Sequence, residues 1–231
     1  MPTSTPIPTP TPSSTQKTQP SLTAAAGKSY TIAFLGDSMI DTMGPDLPAV
    51  KSKLTSIYGA TDFTLLNYGV GATNIDYGIE RITNGYTYLG NQKPSLASAK
   101  PNIVVLESFG YNPFPDADGG VNRHWLALSR AVDTLRAQIP GVTIVIAATI
   151  APRSSDVISP DHARVIKSYL ESTIGFARSQ GLQLADAYHA SLDANGEGKL
   201  LYINPGDHIH YSDAGRALFA QKIVNALQSV L

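Results

Sequence analysis

Short apolar runs alternate with longer amphipathic stretches from Ser29 to the end of the chain. The short runs are β-branched or continuously apolar and are bounded by Gly, Pro or Asn, a pattern that predicts buried parallel strands. Strands are predicted at residues 30–35, 63–68, 103–107, 142–148 and 182–185. Helices are predicted at about residues 46–58, 75–84, 121–138 and 160–180, with a last helix at 213–230, after Ser212 as its N-cap.

This order of elements predicts the fold class. Alternating strands and helices indicate an α/β fold, in which a parallel sheet carries helices on both faces through right-handed crossovers. Ligands bind such sheets beyond the carboxyl ends of the strands. The residues that follow the predicted strands are therefore the first places to search for chemistry.

Residues 1–27 have a different composition, rich in Pro, Thr and Ser, with Lys17 as their only charged side chain. Such a segment buries too little apolar surface to offset its ordering entropy, and its prolines favour extended geometry. We expect a disordered tether at 1–27, followed by one domain at 28–231. Tethers of this kind often connect a domain to other modules or to an envelope anchor. The alternative is a disordered tail that has no role in targeting.

Composition excludes several classes of protein. The 231 residues are 42% hydrophobic, enough for one sizeable core. The 17 Lys and Arg nearly balance the 18 Asp and Glu, and no basic block occurs, which argues against a nucleic-acid partner or an anionic-membrane surface. No apolar run approaches the roughly 18 residues of a membrane helix, so no membrane insertion is expected. The chain has no cysteine, which rules out a disulfide or a thiolate–metal site.

The expected location follows from the tether. The N-terminus lacks the charged start and apolar core of a secretory signal, so we expect that a signal was removed or never existed. The tether itself favours export, and we expect a secreted or envelope-attached protein.

The first predicted strand ends at Gly36-Asp37-Ser38. A glycine at this position permits a sharp turn, which brings the Ser38 hydroxyl to the rim of the sheet as a candidate nucleophile. The alternative is that Ser38 only caps a turn.

Two more strand ends offer hydrogen-bond donors for a developing oxyanion. The second strand runs into Gly69-Val70-Gly71-Ala72, where backbone N–H groups can face a ligand, and the third runs into Gly110-Tyr111-Asn112-Pro113, where the Asn112 amide can donate. A glycine-rich turn and an Asn-Pro turn are the respective alternatives.

A base and its orienting acid are predicted near the C-terminus, in Asp207-His208-Ile209-His210. If the loop curls by about one turn, Asp207 can accept from Nδ1 of His210 and leave Nε2 facing a serine. His208 is the competing histidine, and we interpret it as a flanking residue or a substrate contact. Alternatively, His208 and His210 with Asp207 are zinc ligands, although a third protein ligand cannot be placed.

Together, these four segments resemble, in order and spacing, the four blocks of the SGNH hydrolases, also called GDSL esterases or lipases. The resemblance spans residues 30–228. It implies a flavodoxin-like, three-layer α/β/α sandwich with five parallel strands, and ester hydrolysis without a metal or other cofactor.

Carried over to this chain, the resemblance implies Ser38 as nucleophile, His210 as base and Asp207 as orienting acid. It implies oxyanion donors at the Ser38 N–H, a glycine N–H in the second block and the Asn112 side chain. The second block is one residue shorter than the usual form, so Gly71 is our choice of donor and Ala72 stays open. Pro113 stands where the family usually has Asp, and it favours extended geometry at Asn112.

The substrate is expected to be a small ester or a glycan ester. Exported members of the resembled family often deacetylate polysaccharides, which favours a short-chain acyl esterase, here an acetyl esterase acting on carbohydrate. The alternatives are a general carboxylesterase or lysophospholipase, and an inactive glycan-binding module. Substrate contacts are predicted from Asp37, Tyr111 and His208. The flanking aromatic residues are candidates for stacking on a sugar: Tyr68, Tyr111, Phe114 and Tyr211.

Overall fold

The inner strands of the central sheet are buried on both faces, whereas its two edge strands are partly exposed. The computed structural model describes residues 29–59, 62–115, 120–155 and 157–231. Its strands are β1 Ser29–Gly36, β2 Asp62–Gly69, β3 Tyr86–Tyr88, β4 Asn91–Lys93, β5 Ile103–Glu107, β6 Thr143–Ala148 and β7 Gln183–Asp186. Five of them form one parallel sheet in the order β2-β1-β5-β6-β7, and β3 pairs with β4 as an antiparallel hairpin.

Helices connect these strands. They are α1 Ser38–Asp41, α2 Pro48–Tyr58, α3 Ile75–Thr83, α4 Gly120–Gln138, α5 Pro160–Ser179, α6 Tyr188–Ser191 and α7 Asp213–Gln228. Helix α7 begins at the predicted N-cap, because the Ser212 hydroxyl accepts from the Gly215 N–H. Among the described residues, no helix is both long and apolar enough to cross a bilayer.

Two apolar clusters lie on opposite faces of the sheet. Along β1, Ile32 and Phe34 belong to one cluster, while Ala33 and Leu35 belong to the other, as the alternation of side chains along a strand requires. Helices α2 and α7 cover the first cluster, α3 and α4 cover the second, and α5 contributes to both. The predicted three-layer α/β/α sandwich with a five-stranded parallel sheet is confirmed.

The sequence pattern missed the β3–β4 hairpin and the short helices α1 and α6, but it predicted the type of every element of the main sheet and of its five long helices. Most ends agree within two residues. The helix predicted from residue 46 begins instead at Pro48, because proline favours the first helical position. The predicted tether at 1–27 lies outside the described residues.

The sheet order determines where a ligand site belongs. From β1 the chain leads to β2 on one side of β1. The next strand of this sheet, β5, lies on the other side of β1, so the direction of the connections reverses and a switch point lies between β1 and β5. Ligands of open α/β sheets bind at this switch point, beyond the carboxyl ends of the strands. In this chain those ends lead directly to Ser38 and to the Glu107–Asn112 loop.

His124 of α4 holds the loop that follows β5. It is completely buried, its Nε2–H donates to the Ser108 carbonyl at 2.7 Å, and its ring packs on Tyr169 with centroids 4.5 Å apart. Burial lowers the pKa of His124 to about 4, which the hydrogen bond to Ser108 opposes only partly. The imidazole is therefore neutral at pH 7.

We predict an acid sensitivity that originates at His124. The folded-state pKa lies below the unfolded value near 6.5, so the unfolded chain binds a proton first. The stability that neutral His124 contributes is present above about pH 6.5 and is lost as the pH falls toward 4. At 1.36 kcal/mol per pKa unit, the free energy of unfolding should fall by up to about 3 kcal/mol over this range. Urea unfolding of wild type and His124→Gln at several pH values measures this. The glutamine can still donate to Ser108 but cannot titrate, so parallel pH profiles for the two proteins would refute the prediction.

Candidate active site

Ser38 lies at the first position of α1, immediately after the sharp turn that ends β1. At Gly36, a Cβ would lie 2.3 Å from Ile40 and 2.9 Å from the Glu107 Cβ, so only glycine allows this close approach. The carboxylate of Asp37 caps the helix, because Oδ1 accepts from the Met39 N–H at 2.8 Å. Ser38 is partly exposed, and its N–H, in the first helical turn, has no partner among the described residues.

The Asp207–His210 loop curls as predicted. Asp207 Oδ1 accepts from the N–H groups of Ile209 and His210, both at 2.9 Å, and Oδ2 lies 2.9 Å from His210 Nδ1. Asn204 donates to the same Oδ2 at 3.2 Å. Partial burial acts to raise the pKa of Asp207, but the hydrogen bonds from His210 and Ile209 outweigh it, and the pKa is lowered. An ionised Asp207 favours the tautomer in which Nδ1 carries the hydrogen and Nε2 is a base.

Ser38 and His210 face one cavity of about 450 Å³, which also contains the predicted donors. It is lined by Ser38, Asp41, Thr42, Gly71, Ala72, Tyr88, Tyr111, Asn112, Ile209 and His210. Within the part of the chain that the structure describes, neither Ser38 Oγ nor His210 Nε2 has a hydrogen-bond partner. A proton transfer between them therefore requires the two groups to approach when a substrate binds, as is common for free enzymes.

Asn112 is tied to the turn that carries Ser38. Its Nδ2 donates to Asp37 Oδ2 at 2.8 Å, which uses one of the two amide hydrogens and fixes the orientation of the side chain. The prediction that Asp37 contacts the substrate is wrong, because its side chain is completely buried and each of its oxygens accepts a hydrogen bond within the protein. Asp37 instead supports Ser38 and Asn112, which line the cavity.

The loop of residues 69–73, which we call the oxyanion loop, departs from the prediction at Gly71. The Gly71 N–H donates to the hydroxyl of Tyr88 at 3.1 Å, so it is not available as the predicted oxyanion donor. Ala72 follows with a left-handed backbone, φ 57°, and it lines the cavity. The Ala72 N–H has no partner among the residues described, which makes the open alternative, Ala72, the better donor.

Tyr111 is the one predicted substrate contact that lines the cavity. It is largely buried, its hydroxyl donates to the Ile150 carbonyl at 3.3 Å, and burial raises the pKa of this phenol, so it stays neutral. His208 has a left-handed backbone, φ 58°, and lines neither this cavity nor the adjoining one of about 440 Å³.

Of the other aromatic candidates, only Phe114 reaches either space, in the adjoining cavity. Tyr68 and Tyr211 are buried, and their hydroxyls bond to the Ser95 carbonyl and to Thr149. Their role is packing.

Two charged side chains are buried beneath the site. Arg81 is almost fully buried. It donates to the carbonyl of Tyr68, near the end of β2, at 2.6 Å and to the carbonyl of Gly36, the last residue of β1, at 3.1 Å. Glu107 is buried at the end of β5, and burial, reinforced by the nearby Asp37, raises its pKa well above the usual range. This rise favours the neutral form of Glu107.

Sequence reasoning missed Asp41, Tyr88 and Arg81. Asp41 stands three residues after Ser38 on the same short helix, a spacing that places both on one face and was visible in the sequence. Tyr88 lies on a three-residue strand, too short for a periodic signal. Within the described residues, no three His, Cys, Asp or Glu side chains are grouped so as to hold a metal ion.

Comparisons with known proteins extend to structure but not to sequence. No protein-family model and no curated protein matches the chain by sequence. A lipase/acylhydrolase from Enterococcus faecalis superposes with a TM-score of 0.67 at 18% identity, over 86% of this chain and 95% of that one. A GDSL-like lipase from Bacteroides thetaiotaomicron has a TM-score of 0.63 at 11% identity, over 87% and 89%.

A variant of an acetyl xylan esterase from Geobacillus stearothermophilus is similar to the same extent, with a TM-score of 0.64 at 13% identity, over 87% of this chain and 96% of that one. At these identities the likeness concerns the fold, which the sheet order and the three layers describe independently. The chain has the fold of the SGNH, or GDSL-type, hydrolases.

Proposed function

We propose that this protein is a serine esterase that hydrolyses short acyl esters, in particular acetyl esters of carbohydrates. Ser38 is the nucleophile, His210 the general base and Asp207 the residue that orients it. The oxyanion donors are the Ser38 N–H, the Ala72 N–H and the Asn112 amide.

The proposed reaction has two halves. His210 Nε2 takes the proton of Ser38 as Oγ attacks the ester carbonyl, and the three donors stabilise the negative oxygen of the tetrahedral intermediate. The C–O bond to the alcohol then breaks, and His210 gives its proton to the leaving oxygen. In the second half, water loses a proton to His210 as it attacks the acyl-Ser38 ester. The bond between the acyl carbon and Oγ then breaks, His210 returns the proton to Oγ, and the carboxylic acid is released.

The observation that carries the proposal is the orientation of His210 by Asp207 in a cavity that also contains Ser38 and Asn112. These groups come from three separate segments, and Asp37 holds two of them together. Asp207 accepts from both the backbone N–H and Nδ1 of His210 and from the Ile209 N–H, so it fixes the backbone and the ring of the histidine together.

The choice of substrate rests on the walls of the cavity. Asp41, Tyr88 and Tyr111 give it a carboxylate and two phenol rings, groups that suit the hydroxyls and the apolar face of a sugar better than a lipid chain. Two of the similar structures are described as acetyl xylan esterases. We further propose that the N-terminal segment tethers the enzyme outside the cell, near such polymers.

We predict that Ser38→Ala lowers the kcat for p-nitrophenyl acetate by roughly four orders of magnitude or more, because no nucleophile remains. Asn112→Ala should lower it roughly 10²- to 10³-fold, the usual cost of losing one oxyanion donor. Ser168→Ala and Asn225→Ala change the same residue types at positions that do not line the cavity with Ser38, and they serve as controls. Parent-like turnover by Ser38→Ala would exclude the proposed mechanism.

The substrate is tested separately, with p-nitrophenyl esters of increasing chain length beside acetylated xylan and acetylated peptidoglycan. We expect kcat/KM to be highest for acetate among the small esters, and acetate to be released from at least one polymer. A maximum at long acyl chains, with no release from either polymer, would replace the carbohydrate esterase with a general carboxylesterase or lysophospholipase.

A further inference from the structure

The hydroxyl of Tyr88 joins the oxyanion loop to the helix that carries Ser38. It accepts from the Gly71 N–H at 3.1 Å and donates to Asp41 Oδ2 at 2.8 Å. One oxygen atom therefore connects residues 69–73, helix α1 and the β3–β4 hairpin. Asn67 makes a similar connection at the start of the loop, where its amide accepts from the Gly69 N–H at 2.7 Å and donates to the Ile40 carbonyl of α1 at 3.0 Å, whereas Tyr88 makes the connection at Gly71, beside Ala72.

The oxyanion loop needs such a restraint because of Ala72. A left-handed φ of 57° is unfavourable for a residue with a Cβ, and it persists only where neighbouring structure holds it. The bond from Gly71 to Tyr88 lies at the residue immediately before this strained position. The Val70 N–H donates to the Gly36 carbonyl at 3.2 Å, which holds the loop before Gly71. The bond from the Thr73 hydroxyl to the Val70 carbonyl, at 2.7 Å, lies within the loop and does not fix its later residues relative to Ser38.

The loop lies directly against the nucleophile. A Cβ built on Gly71 would lie 3.8 Å from the Ser38 Cβ, 3.2 Å from the Tyr88 hydroxyl and 3.9 Å from Asp41 Oδ2. A small displacement of the loop would therefore change the position of the Ala72 N–H relative to Ser38 Oγ. Oxyanion donors are effective only within a few tenths of an ångström of their required position.

The phenol is well suited to a permanent bridge. Partial burial raises the pKa of Tyr88, an effect that the Gly71 hydrogen bond opposes, so the hydroxyl keeps its proton and can donate to Asp41 at physiological pH. The ring stands on a hairpin whose strands pair through three residues each, which fixes its base.

We propose that Tyr88 is a positioning residue for the oxyanion loop, holding the Ala72 N–H in place by bridging Gly71 and Asp41. The role rests on the proposed function, since it concerns how well the oxyanion donor is aligned. The Tyr88 hydroxyl bonds to Gly71 and Asp41 and not to Ser38 or His210. For a small ester that has no sugar ring, its effect should therefore fall on the transition state rather than on substrate binding.

The test is Tyr88→Phe, which keeps the ring and removes both hydrogen bonds. We expect kcat for p-nitrophenyl acetate to fall roughly tenfold, a fraction of the 10²- to 10³-fold cost of losing a donor outright. KM should stay within about twofold, and the rate of phosphonylation by a fluorophosphonate should fall in parallel with kcat, because its phosphoryl oxygen uses the same donors.

Asp41 supplies a conservative pair of variants. Asp41→Asn keeps an oxygen that can accept from Tyr88, and p-nitrophenyl acetate has no sugar hydroxyl for Asp41 to bind. On this ester Asp41→Asn should therefore lose less kcat than Asp41→Ala, which should resemble Tyr88→Phe. If the bridge acts as one unit, the double variant Tyr88→Phe/Asp41→Ala should be little slower than either single variant. Multiplicative losses would show that the two side chains act independently and would overturn the proposal.

Thr87→Gly is the matched control for hairpin stability. It removes an exposed β-branched side chain beside Tyr88 and loosens β3 while leaving the bridging hydroxyl present. An equal fall in kcat for Thr87→Gly would show that the effect comes from the general stability of the hairpin and not from the bridge. A higher kcat for Tyr88→Phe would show that the Tyr88 hydroxyl hinders the reaction. If the parent protein lacks Ser38-dependent activity, the proposed function is wrong. If the parent is active and Tyr88→Phe has the same kcat, only the positioning role of Tyr88 is wrong.

Discussion

The buried carboxylate of Asp37 is the group on which the rest of the site depends. One of its oxygens caps the helix that begins at Ser38, and the other holds the side chain of Asn112, 75 positions further along the chain. Ser38 and Asn112, the proposed nucleophile and the proposed side-chain oxyanion donor, therefore share one anchor at the switch point between β1 and β5. Their relative position is fixed before any substrate arrives, which is the condition for electrostatic stabilisation of an oxyanion.

A carboxylate in this position is costly to bury unless charge and hydrogen bonds offset it. Burial raises the pKa of Asp37, whereas the hydrogen bonds from Met39 and Asn112 and the charges of His210 and Arg81 oppose that rise. Arg81 also donates to the carbonyls of Gly36 and Tyr68, which holds together the ends of β1 and β2 that carry the turn and the oxyanion loop. Burial and the nearby Asp37 raise the pKa of Glu107, which opposes a second negative charge beside Asp37. The polar layer beneath the cavity thus supports its geometry and balances its charge.

The sequence was sufficient for the sheet and for the segments that bear the chemistry, because both follow from local patterns. Apolar runs bounded by glycine or proline predict the strands, and the spacing of Asp207 and His210 predicts their hydrogen bond. What it could not supply were contacts between segments distant in the chain. The left-handed backbone of Ala72 and the bond between Gly71 and Tyr88 depend on the hairpin, so the choice between two neighbouring N–H groups could be made only in three dimensions. The burial of Asp37 likewise depends on where the loop after β5 closes over it.

The central claim is that Ser38 is a nucleophile activated by a histidine that Asp207 orients. Its most direct test is the mass of the intact protein after reaction with a fluorophosphonate, followed by peptide mapping. We expect one adduct, located on Ser38, that forms much more slowly in Asp207→Asn, because the amide no longer favours the productive histidine tautomer. An adduct on another residue, or labelling of Ser38 at the same rate without Asp207, would contradict it.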